Sequence, residues 1–257
     1  MKIAVVLHAM NSSFYTKLAD GARDAGKDFG ITVDVTSPTT ASNLSEQVSL
    51  IESCITADYD GIATVTWDPS GFNSVIQKAS DAGIPMVGFN MDAEDCGTKA
   101  FIGQEYEDAG YQMGKYMFGE VMEGKGKYII ASCGPSDTAL IARANGIKKA
   151  QEEYPDIEFI DIIDIGTDLT NAYGVIENAY LAHPDVNAIL GVDVFSEAIG
   201  TFVEAYKLEG EVKGAGFDLT EGTLKHISNG SMQLTVGQNP YLQGYYAVAE
   251  LYMNLAH

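Results

Sequence analysis

Short apolar runs alternate along the whole chain with longer stretches in which apolar residues recur every three or four positions. Runs such as Lys2–Leu7 and Gly61–Thr66 are almost continuously apolar, as expected of strands buried on both faces. The intervening stretches, such as Phe14–Phe29, have the periodicity of amphipathic helices. This alternation predicts an α/β fold in which parallel sheets carry helices on both faces.

Further strands and helices are predicted along the rest of the chain. The other predicted strands lie at Ile31–Thr36, Ile84–Phe89, Ala100–Ile102, Tyr128–Ala131, Ile157–Ile163, Val186–Gly191, Val212–Phe217 and Met232–Val236. The other predicted helices lie at Leu44–Ala57, Tyr106–Met122, Ala139–Glu153, Asn171–Ala182, Ser196–Leu208, Thr220–Ser228 and Gly244–Leu255. One more helix is predicted to start at Asp68-Pro69-Ser70 and to run to Ala82.

The chain repeats one strand–helix–strand pattern. Residues 61–92 read GIATVTWDPSGFNSVIQKASDAGIPMVGFNMD, and residues 186–220 read VNAILGVDVFSEAIGTFVEAYKLEGEVKGAGFDLT. Each copy ends in Gly-Phe followed by a polar residue, Asn90 in the first and Asp218 in the second. Open α/β sheets bind ligands at the carboxyl ends of their strands. The repeat therefore predicts two Rossmann-like lobes, each a parallel sheet flanked by helices, with a ligand cleft between them.

The sequence contains no long linker rich in Pro, Gly or Ser, so the chain is expected to cross between the lobes through short segments. These segments are placed near 103–106 and 238–240. The N-terminal lobe is then predicted to comprise residues 1–103 plus 239–257, and the C-terminal lobe residues 104–238.

Composition narrows the class of partner. The 257 residues include 36 acidic and 15 basic side chains, a formal net charge of −21, which argues against nucleic acid and anionic lipid. Hydrophobic residues make up 46% of the chain, enough for a packed core, yet no run is long enough for a membrane span. The opening apolar run is too short for a signal peptide and is interpreted as a strand, so no signal peptide is expected in this chain.

Catalytic and metal-binding motifs are missing from the sequence. It lacks GxSxG, HExxH, P-loop and GxGxxG patterns. Cys54, Cys96 and Cys133 are widely spaced without a CxxC pair, so neither a zinc site nor a disulfide framework is predicted. Cys54 and Cys133 are expected to be small core residues. We therefore expect a non-enzymatic protein without a cofactor or a metal.

Polar and aromatic side chains follow almost every predicted strand. Aromatic faces pack on the C–H side of a sugar ring, and carboxylate, amide and guanidinium groups bind its hydroxyls, so the set suits a neutral polyhydroxylated ligand. The amide and arginine partners are expected to keep the carboxylates ionised without raising a pKa. The set comprises His8, Asn11, Ser12, Phe14, Tyr15, Thr66, Trp67, Asp68, Asn90, Met91, Asp92, Ser136, Asp137, Arg143, Asp193, Asp218, Gln238 and Asn239.

Several of these residues also have a purely structural interpretation. Trp67, the sole tryptophan, either lines the ligand cleft or packs in the core. Asp68 fits a helix N-cap ahead of Pro69, and Asp218 also has the spacing of a cap. Arg143 lies near apolar helix positions and is either a ligand residue or a solvated arginine.

Five segments, in this order, resemble the periplasmic sugar-binding proteins of ABC importers, the ribose/galactose-binding group with the type I bi-lobed fold. They are VVLHAMNSSFYTKLADGARDAGKDFG from residue 5, ALIARANGIKKA from residue 139, LAHPDVNAIL from residue 181, GFD at 216–218 and VGQNPYLQGYYAV at 236–248. The resemblance covers nearly the whole chain. It implies a receptor that closes on a monosaccharide or related polyol and delivers it to the membrane permease of an ABC importer.

The resemblance also implies ligand residues. The aromatic pair of the family falls on Phe14 and Tyr15, its polar residue after the fourth strand on Asn90, and its helix arginine on Arg143. Together with the other strand-end residues, the expected ligand set is Asn11, Ser12, Phe14, Tyr15, Trp67, Asn90, Asp92, Asp137, Arg143, Asp193, Asp218 and Gln238.

The sequence departs from the family pattern at three places. Ser12 replaces a ligand amide and Met91 replaces an arginine, and both departures leave the identity of the sugar open. Family members continue past the last helix with a strand that crosses lobes, so a chain ending at His257 is expected to be truncated or trimmed. The resemblance implies a monomer in an extracytoplasmic location, in the periplasm or lipid-anchored on the cell surface.

Three alternative functions are kept beside this one. A lactose-repressor-type effector domain would need an N-terminal helix-turn-helix, whereas this chain opens with a strand. A receptor that feeds chemotaxis or a sensor kinase would share the same binding domain. A glycosidase would use a pair of the abundant carboxylates.

Overall fold

The computed structural model describes residues 1–10, 13–40, 43–68, 70–93, 96–134 and 137–256. The chain divides into two compact units, Met1–Gln104 with Asn239–His257, and Glu105–Gln238. Each unit contains one five-stranded sheet in which neighbouring strands are parallel. The predicted α/β class, two parallel sheets flanked by helices, is confirmed.

Strands and helices alternate as the hydrophobic pattern predicts. The strands are β1 Lys2–Val6, β2 Thr32–Thr36, β3 Gly61–Thr64, β4 Met86–Asn90, β5 Phe101–Gly103, β6 Lys125–Ser132, β7 Asp156–Asp164, β8 Ala188–Gly191, β9 Lys213–Phe217 and β10 Leu234–Val236. The helices are α1 Ser13–Phe29, α2 Leu44–Thr56, α3 Asn73–Asp81, α4 Tyr106–Tyr116, α5 Thr138–Gln151, α6 Leu169–Ala182, α7 Glu197–Tyr206, α8 Glu221–Asn229 and α9 Pro240–Ala256. A π-helical turn, Met117–Val121, extends α4, and a 3₁₀ turn, Val194–Ser196, precedes α7.

The two sheets have the same strand order. It is β2-β1-β3-β4-β5 in the first unit and, read in the matching direction, β7-β6-β8-β9-β10 in the second. β4 and β9 therefore occupy equivalent places, and both carry the repeated Gly-Phe near their ends. Because all strands of a parallel sheet end at one edge, the polar residues that follow them are collected there.

Both faces of each sheet are covered. Along β1, Ile3 and Val5 belong to one buried cluster, and Ala4 and Val6 belong to another on the opposite face, as the two-residue period of a strand requires. The second unit likewise has two buried clusters. The almost continuously apolar strands are thus explained by burial on both sides.

One helix pair in each unit crosses at glycine. In the second unit, a methyl group on Gly110 of α4 would overlap the carbonyl oxygen of Arg143, and one on Gly146 of α5 would overlap that of Glu107. α1 and α9 repeat this arrangement in the first unit, with one glycine on each helix. Backbones approach this closely only where no side chain intervenes.

The start of α3 differs from the prediction. α3 begins at Asn73 because the Asp68 carboxylate accepts hydrogen bonds from the N–H groups of Ser70 and Gly71, which form a turn before the helix. Asp68 is therefore a capping residue, as one of its two interpretations held, but it caps a turn and not the helix itself.

The last helix begins one turn earlier than predicted. α9 starts at Pro240, where Asn239 Oδ1 accepts a hydrogen bond from the N–H of Leu242 at 3.0 Å. An asparagine cap followed by proline at the first helical position is a recognised start signal, and here it outweighs the glycine at position 244.

Gly146→Ala should lower the free energy of unfolding by about 1–3 kcal/mol, because the added methyl must push α4 and α5 apart. Gly174→Ala in α6 is the matched control. Nothing lies within 4 Å of its added methyl, and alanine favours a helix over glycine by roughly 1 kcal/mol. Urea denaturation followed by circular dichroism measures both variants. Equal stabilities would contradict the close helix crossing.

Candidate functional site

Aromatic side chains gather after β1 and β3 in the first unit. The His8 ring stacks on Trp67, with centroids 5.3 Å apart and an interplanar angle of 18°, and its Nδ1 lies 3.4 Å from the Tyr15 hydroxyl. Tyr15 meets Phe14 edge-on, with centroids 5.4 Å apart. The structure thus brings Phe14, Tyr15 and Trp67 together in one cluster that also contains His8.

Trp67 is held by a buried amide. Its indole Nε1–H donates to Gln47 Oε1 at 2.9 Å, and the Gln47 amide donates to Thr64 Oγ1 at 3.0 Å and to the carbonyl of Val65 at 2.9 Å. Gln47 is fully buried on α2, whereas Trp67 is half-buried against both core clusters of its unit. Trp67 therefore packs in the core while part of its surface stays accessible.

β4 ends in a buried asparagine with an unusual backbone. Asn90 is 3% exposed and has a φ of +66°, in the left-handed region that few non-glycine residues adopt. Its Nδ2 donates to Gln243 Oε1 on α9 at 3.1 Å. Asp92 follows two residues later, and its Oδ1 accepts a hydrogen bond from Thr66 Oγ1 at 3.4 Å. Both predicted residues thus lie at the carboxyl edge of the first sheet.

In the second unit a buried arginine lies against aromatic rings. Arg143 on α5 is 4% exposed, and its Nη1 donates to the carbonyl of Val192 at 2.8 Å. Its guanidinium carbon lies 4.0 Å from the Phe217 ring centroid and 5.2 Å from that of Tyr106. Such contacts fix the plane of the guanidinium. The interpretation of Arg143 as a solvated surface arginine is therefore wrong.

Two carboxylates follow β8 and β9 near this arginine. Asp193 Oδ2 accepts a hydrogen bond from the N–H of Cys133 at 2.5 Å, and its Oδ1 accepts one from the N–H two residues further on at 2.8 Å. Asp218 Oδ1 accepts a hydrogen bond from the Gln238 amide at 3.5 Å. Both carboxylates act electrostatically on Arg143. Four predicted site residues therefore lie together at the carboxyl edge of the second sheet.

Asn90 and Asp218 share one backbone conformation. Their φ angles are +66° and +67°, and each residue follows the Gly-Phe of an equivalent strand. The left-handed region costs a non-glycine residue roughly 1–2 kcal/mol, and asparagine and aspartate tolerate it best. The repeat in the sequence thus extends to the geometry of the polar residue at the strand end.

Burial shifts the pKa of several of these groups toward their neutral forms. The pKa of Asp193 and of Asp218 lies above the ordinary value, because burial outweighs the opposing effects of their hydrogen-bond donors and of Arg143. The expectation that these partners would prevent a raised pKa is therefore wrong. Burial also lowers the pKa of Arg143 and of His8, and it raises the pKa of Tyr15 to about 12.

The remaining predicted residues divide into two groups. Asp137 is exposed and caps α5, since its Oδ1 accepts hydrogen bonds from the N–H groups of Ala139 at 2.9 Å and Leu140 at 3.2 Å. A ligand role for Asp137 stays a prediction. Asn11 and Ser12 lie outside the described residues.

Four residues that support the site are absent from the expected ligand set. Gln47 and Tyr106 look like ordinary helix residues in the sequence, and Gln243 falls just before the predicted start of the last helix. Their contacts with Trp67, Arg143 and Asn90 span distant parts of the chain. His8 does carry a signal, because it closely follows β1 at the edge where the other candidates lie.

Cys54 packs in the core as predicted, Cys96 is also buried, and Cys133 is half-buried, all three as free thiols. Within the part of the chain that the structure describes, no three His, Cys, Asp or Glu side chains are grouped to hold a metal ion. None of the described helices is long and apolar enough to span a bilayer.

Two similar parallel-sheet units with polar and aromatic carboxyl edges define an α/β ligand-binding protein. The chain belongs to the periplasmic binding protein family, since the family model for the periplasmic binding protein domain matches residues 3–257. The resemblance inferred from the sequence is thereby confirmed. Members of this family are non-enzymatic transport receptors, which excludes the glycosidase alternative, and membership implies an extracytoplasmic location.

The chain is also similar to named sugar-binding and solute-binding proteins. The xylose/arabinose-binding protein XylF of Sulfolobus acidocaldarius is 24% identical over 273 residues, covering 99% of this chain and 66% of that protein, just under two thirds of its length. A sugar-binding protein of a sugar ABC transporter from Bacillus halodurans superposes with a TM-score of 0.92 at 25% identity, covering 100% of this chain and 88% of that one. An ABC transporter solute-binding protein from Burkholderia graminis, solved with D-arabinose, has a TM-score of 0.86 at 28% identity, covering 100% and 89%.

Stability should depend on pH through His8. Burial holds the pKa of folded His8 below its ordinary value of 6.5, so the folded protein binds fewer protons there than the unfolded chain. The free energy of unfolding should therefore fall as the pH drops through 6.5 toward the lowered pKa. Urea denaturation at about pH 5 and about pH 7.5 measures this loss, because the two values bracket the ordinary histidine pKa. His8→Phe keeps an aromatic ring over Trp67 and should lose less; an equal loss in both proteins would count against the buried neutral histidine.

Proposed function

We propose that this protein binds a neutral monosaccharide or a closely related polyol and delivers it to the membrane permease of an ABC importer. The proposal rests on the buried Arg143 guanidinium, which lies against Phe217 and Tyr106 and under the electrostatic influence of Asp193 and Asp218. A buried fork of N–H donors beside carboxylate acceptors suits neighbouring hydroxyl groups, which both donate and accept.

A pentose is the first sugar class to test. One relative is named a xylose/arabinose-binding protein, and one structural neighbour contains D-arabinose. A pentose offers an apolar C–H face for rings such as Tyr15 and a rim of hydroxyls for groups such as Asn90 and Asp218. Neutral hydroxyls also add no charge to an already acidic chain with a net charge of −21.

We also propose that the two units act as lobes that share the ligand. Candidate ligand residues divide between them as Phe14, Tyr15, Trp67, Asn90 and Asp92 on one side and Asp137, Arg143, Asp193, Asp218 and Gln238 on the other. Hinge motion would be carried by the crossing segments near 103–106 and 238–240. A ligand that contacts both lobes favours the closed state by the difference between its affinities for the two states. One chain supplies all these groups, so a monomer is the expected working form.

Isothermal titration calorimetry and thermal shift against pentoses, hexoses and inositols test the proposal. A sugar acid and an amino sugar of matched size serve as charged controls. We expect at least one neutral sugar to bind and to raise the melting temperature. Failure of every neutral sugar would sink the proposal.

Arg143→Lys should weaken sugar binding by roughly ten- to a hundredfold, because a charge-assisted hydrogen bond contributes about 1.5–3 kcal/mol and lysine cannot reproduce the planar fork. Arg23→Lys is the matched control, since Arg23 is exposed on α1, where it forms a surface ion pair with Asp20 at 3.3 Å. Calorimetry with the best-bound sugar measures both variants. An unchanged dissociation constant in Arg143→Lys would remove Arg143 from the site.

Trp67 emission should change when the sugar binds, because the accessible part of the indole would lose contact with water. Trp67→Phe should lose this signal and keep most of the affinity. It should also lower the free energy of unfolding by about 1–3 kcal/mol, because the buried Gln47 oxygen loses its indole donor. If a sugar that binds by calorimetry leaves the emission of the unaltered protein unmoved, Trp67 is a packing residue alone.

A further inference from the structure

The helix that closes the first unit contacts a candidate ligand residue directly. We propose that Gln243 is a positioning residue for sugar binding, which holds the Asn90 amide in the orientation that meets the sugar. This inference rests on the proposed function and extends it to a residue on α9 that has no place in the expected ligand set.

One hydrogen bond joins the Asn90 and Gln243 side chains and orients the Asn90 amide. Asn90 and Gln243 are 3% and 7% exposed, and Nδ2 of Asn90 donates to Oε1 of Gln243 at 3.1 Å. The Gln243 oxygen is the atom that faces Asn90, and because an amide oxygen only accepts, this arrangement holds the Asn90 nitrogen toward α9. The Asn90 carbonyl oxygen is then turned to the opposite side of the amide. In this orientation Asn90 offers a sugar an acceptor, which selects for a hydroxyl that donates.

Gln243 is itself held rigidly. Its neighbour Gly244 lies against the carbonyl oxygen of Leu18, so the backbone of α9 cannot move closer to α1 at this point. One turn further on, Ala247 and Val248 are buried in the core of the unit. A rigid partner is what a residue with a left-handed backbone such as Asn90 needs, because its own conformation is costly.

The second unit shows the same arrangement with different chemistry. Tyr106 is the first residue of α4 and lies against the Arg143 guanidinium, and Gly110 one turn later lies against the Arg143 backbone. The chain enters the second unit just before α4 and returns to the first unit just before α9. In both units, the first turn of this helix therefore contacts a candidate ligand residue.

Calorimetry with the best-bound pentose tests the role of Gln243. Gln243→Leu should weaken binding about tenfold, the effect of one buried hydrogen bond. Gln243→Glu keeps an acceptor oxygen at the same reach and should restore most of the affinity. Gln112→Leu, at an exposed glutamine on α4, is the matched control and should bind normally. If circular dichroism shows that the leucine variant does not fold, Gln243→Asn, which withdraws the amide by one methylene, carries the same expectation.

Selectivity separates positioning from a general structural role. We expect Gln243→Leu to lose discrimination among single-deoxy and epimeric pentoses at one hydroxyl, and the Asn90→Ala, Gln243→Leu double variant to lose less than the sum of the single variants. A uniform loss for every sugar, or fully additive losses, would overturn the inference. Wild-type affinity in the leucine variant would overturn it while leaving the proposed function intact. No neutral sugar binding to the unaltered protein would overturn both.

Discussion

Backbone contact between helices at glycine is the constraint on which both candidate ligand edges depend. Gly110 on α4 lies against the backbone of Arg143, so the contact that joins α4 and α5 also sets how far the arginine reaches toward Phe217. In the first unit Gly244 lies against Leu18, and its neighbour Gln243 is hydrogen-bonded to Asn90. Protein interiors transmit small displacements because they are densely packed. A change at either crossing would therefore displace a candidate ligand residue.

The two edges stabilise their polar groups in different ways. The first uses uncharged partners: the Asn90 amide is hydrogen-bonded to the Gln243 amide, and the Trp67 indole is hydrogen-bonded to the Gln47 amide. The second places the buried Arg143 guanidinium against aromatic rings and near two carboxylates, and burial shifts the pKa of Asp193 and Arg143 toward the neutral forms. Each edge therefore presents its own chemistry, with neutral amide and aromatic groups at the first and a buried guanidinium near carboxylates at the second.

Much of the fold and part of the candidate site follow from the sequence. Continuous apolar runs predict strands buried on both faces, and the parallel sheets then place Asn90, Asp193 and Asp218 at the carboxyl edges. Contacts that join distant helices to these edges leave no local pattern, so the partners of Trp67 and Arg143 could not be predicted. The raised carboxylate pKa values were missed for a related reason: a sequence shows which partners are present but not how deeply the group is buried. The early start of α9 could have been predicted, because its Asn239-Pro240 signal is present in the sequence.

The position of α9 in the chain has a consequence for biosynthesis. The second unit is one continuous stretch, whereas the first unit needs α9, whose Ala247, Val248 and Leu251 complete the core beside β1 and β3. A chain emerging from its amino end has every strand and helix of the second unit before the first has its covering helix. Apolar surface on the first sheet therefore stays open until α9 has been translated, and such surface attracts chaperones and promotes aggregation. A stalled nascent chain would carry one finished unit and one unfinished unit, with the unfinished one at its amino end.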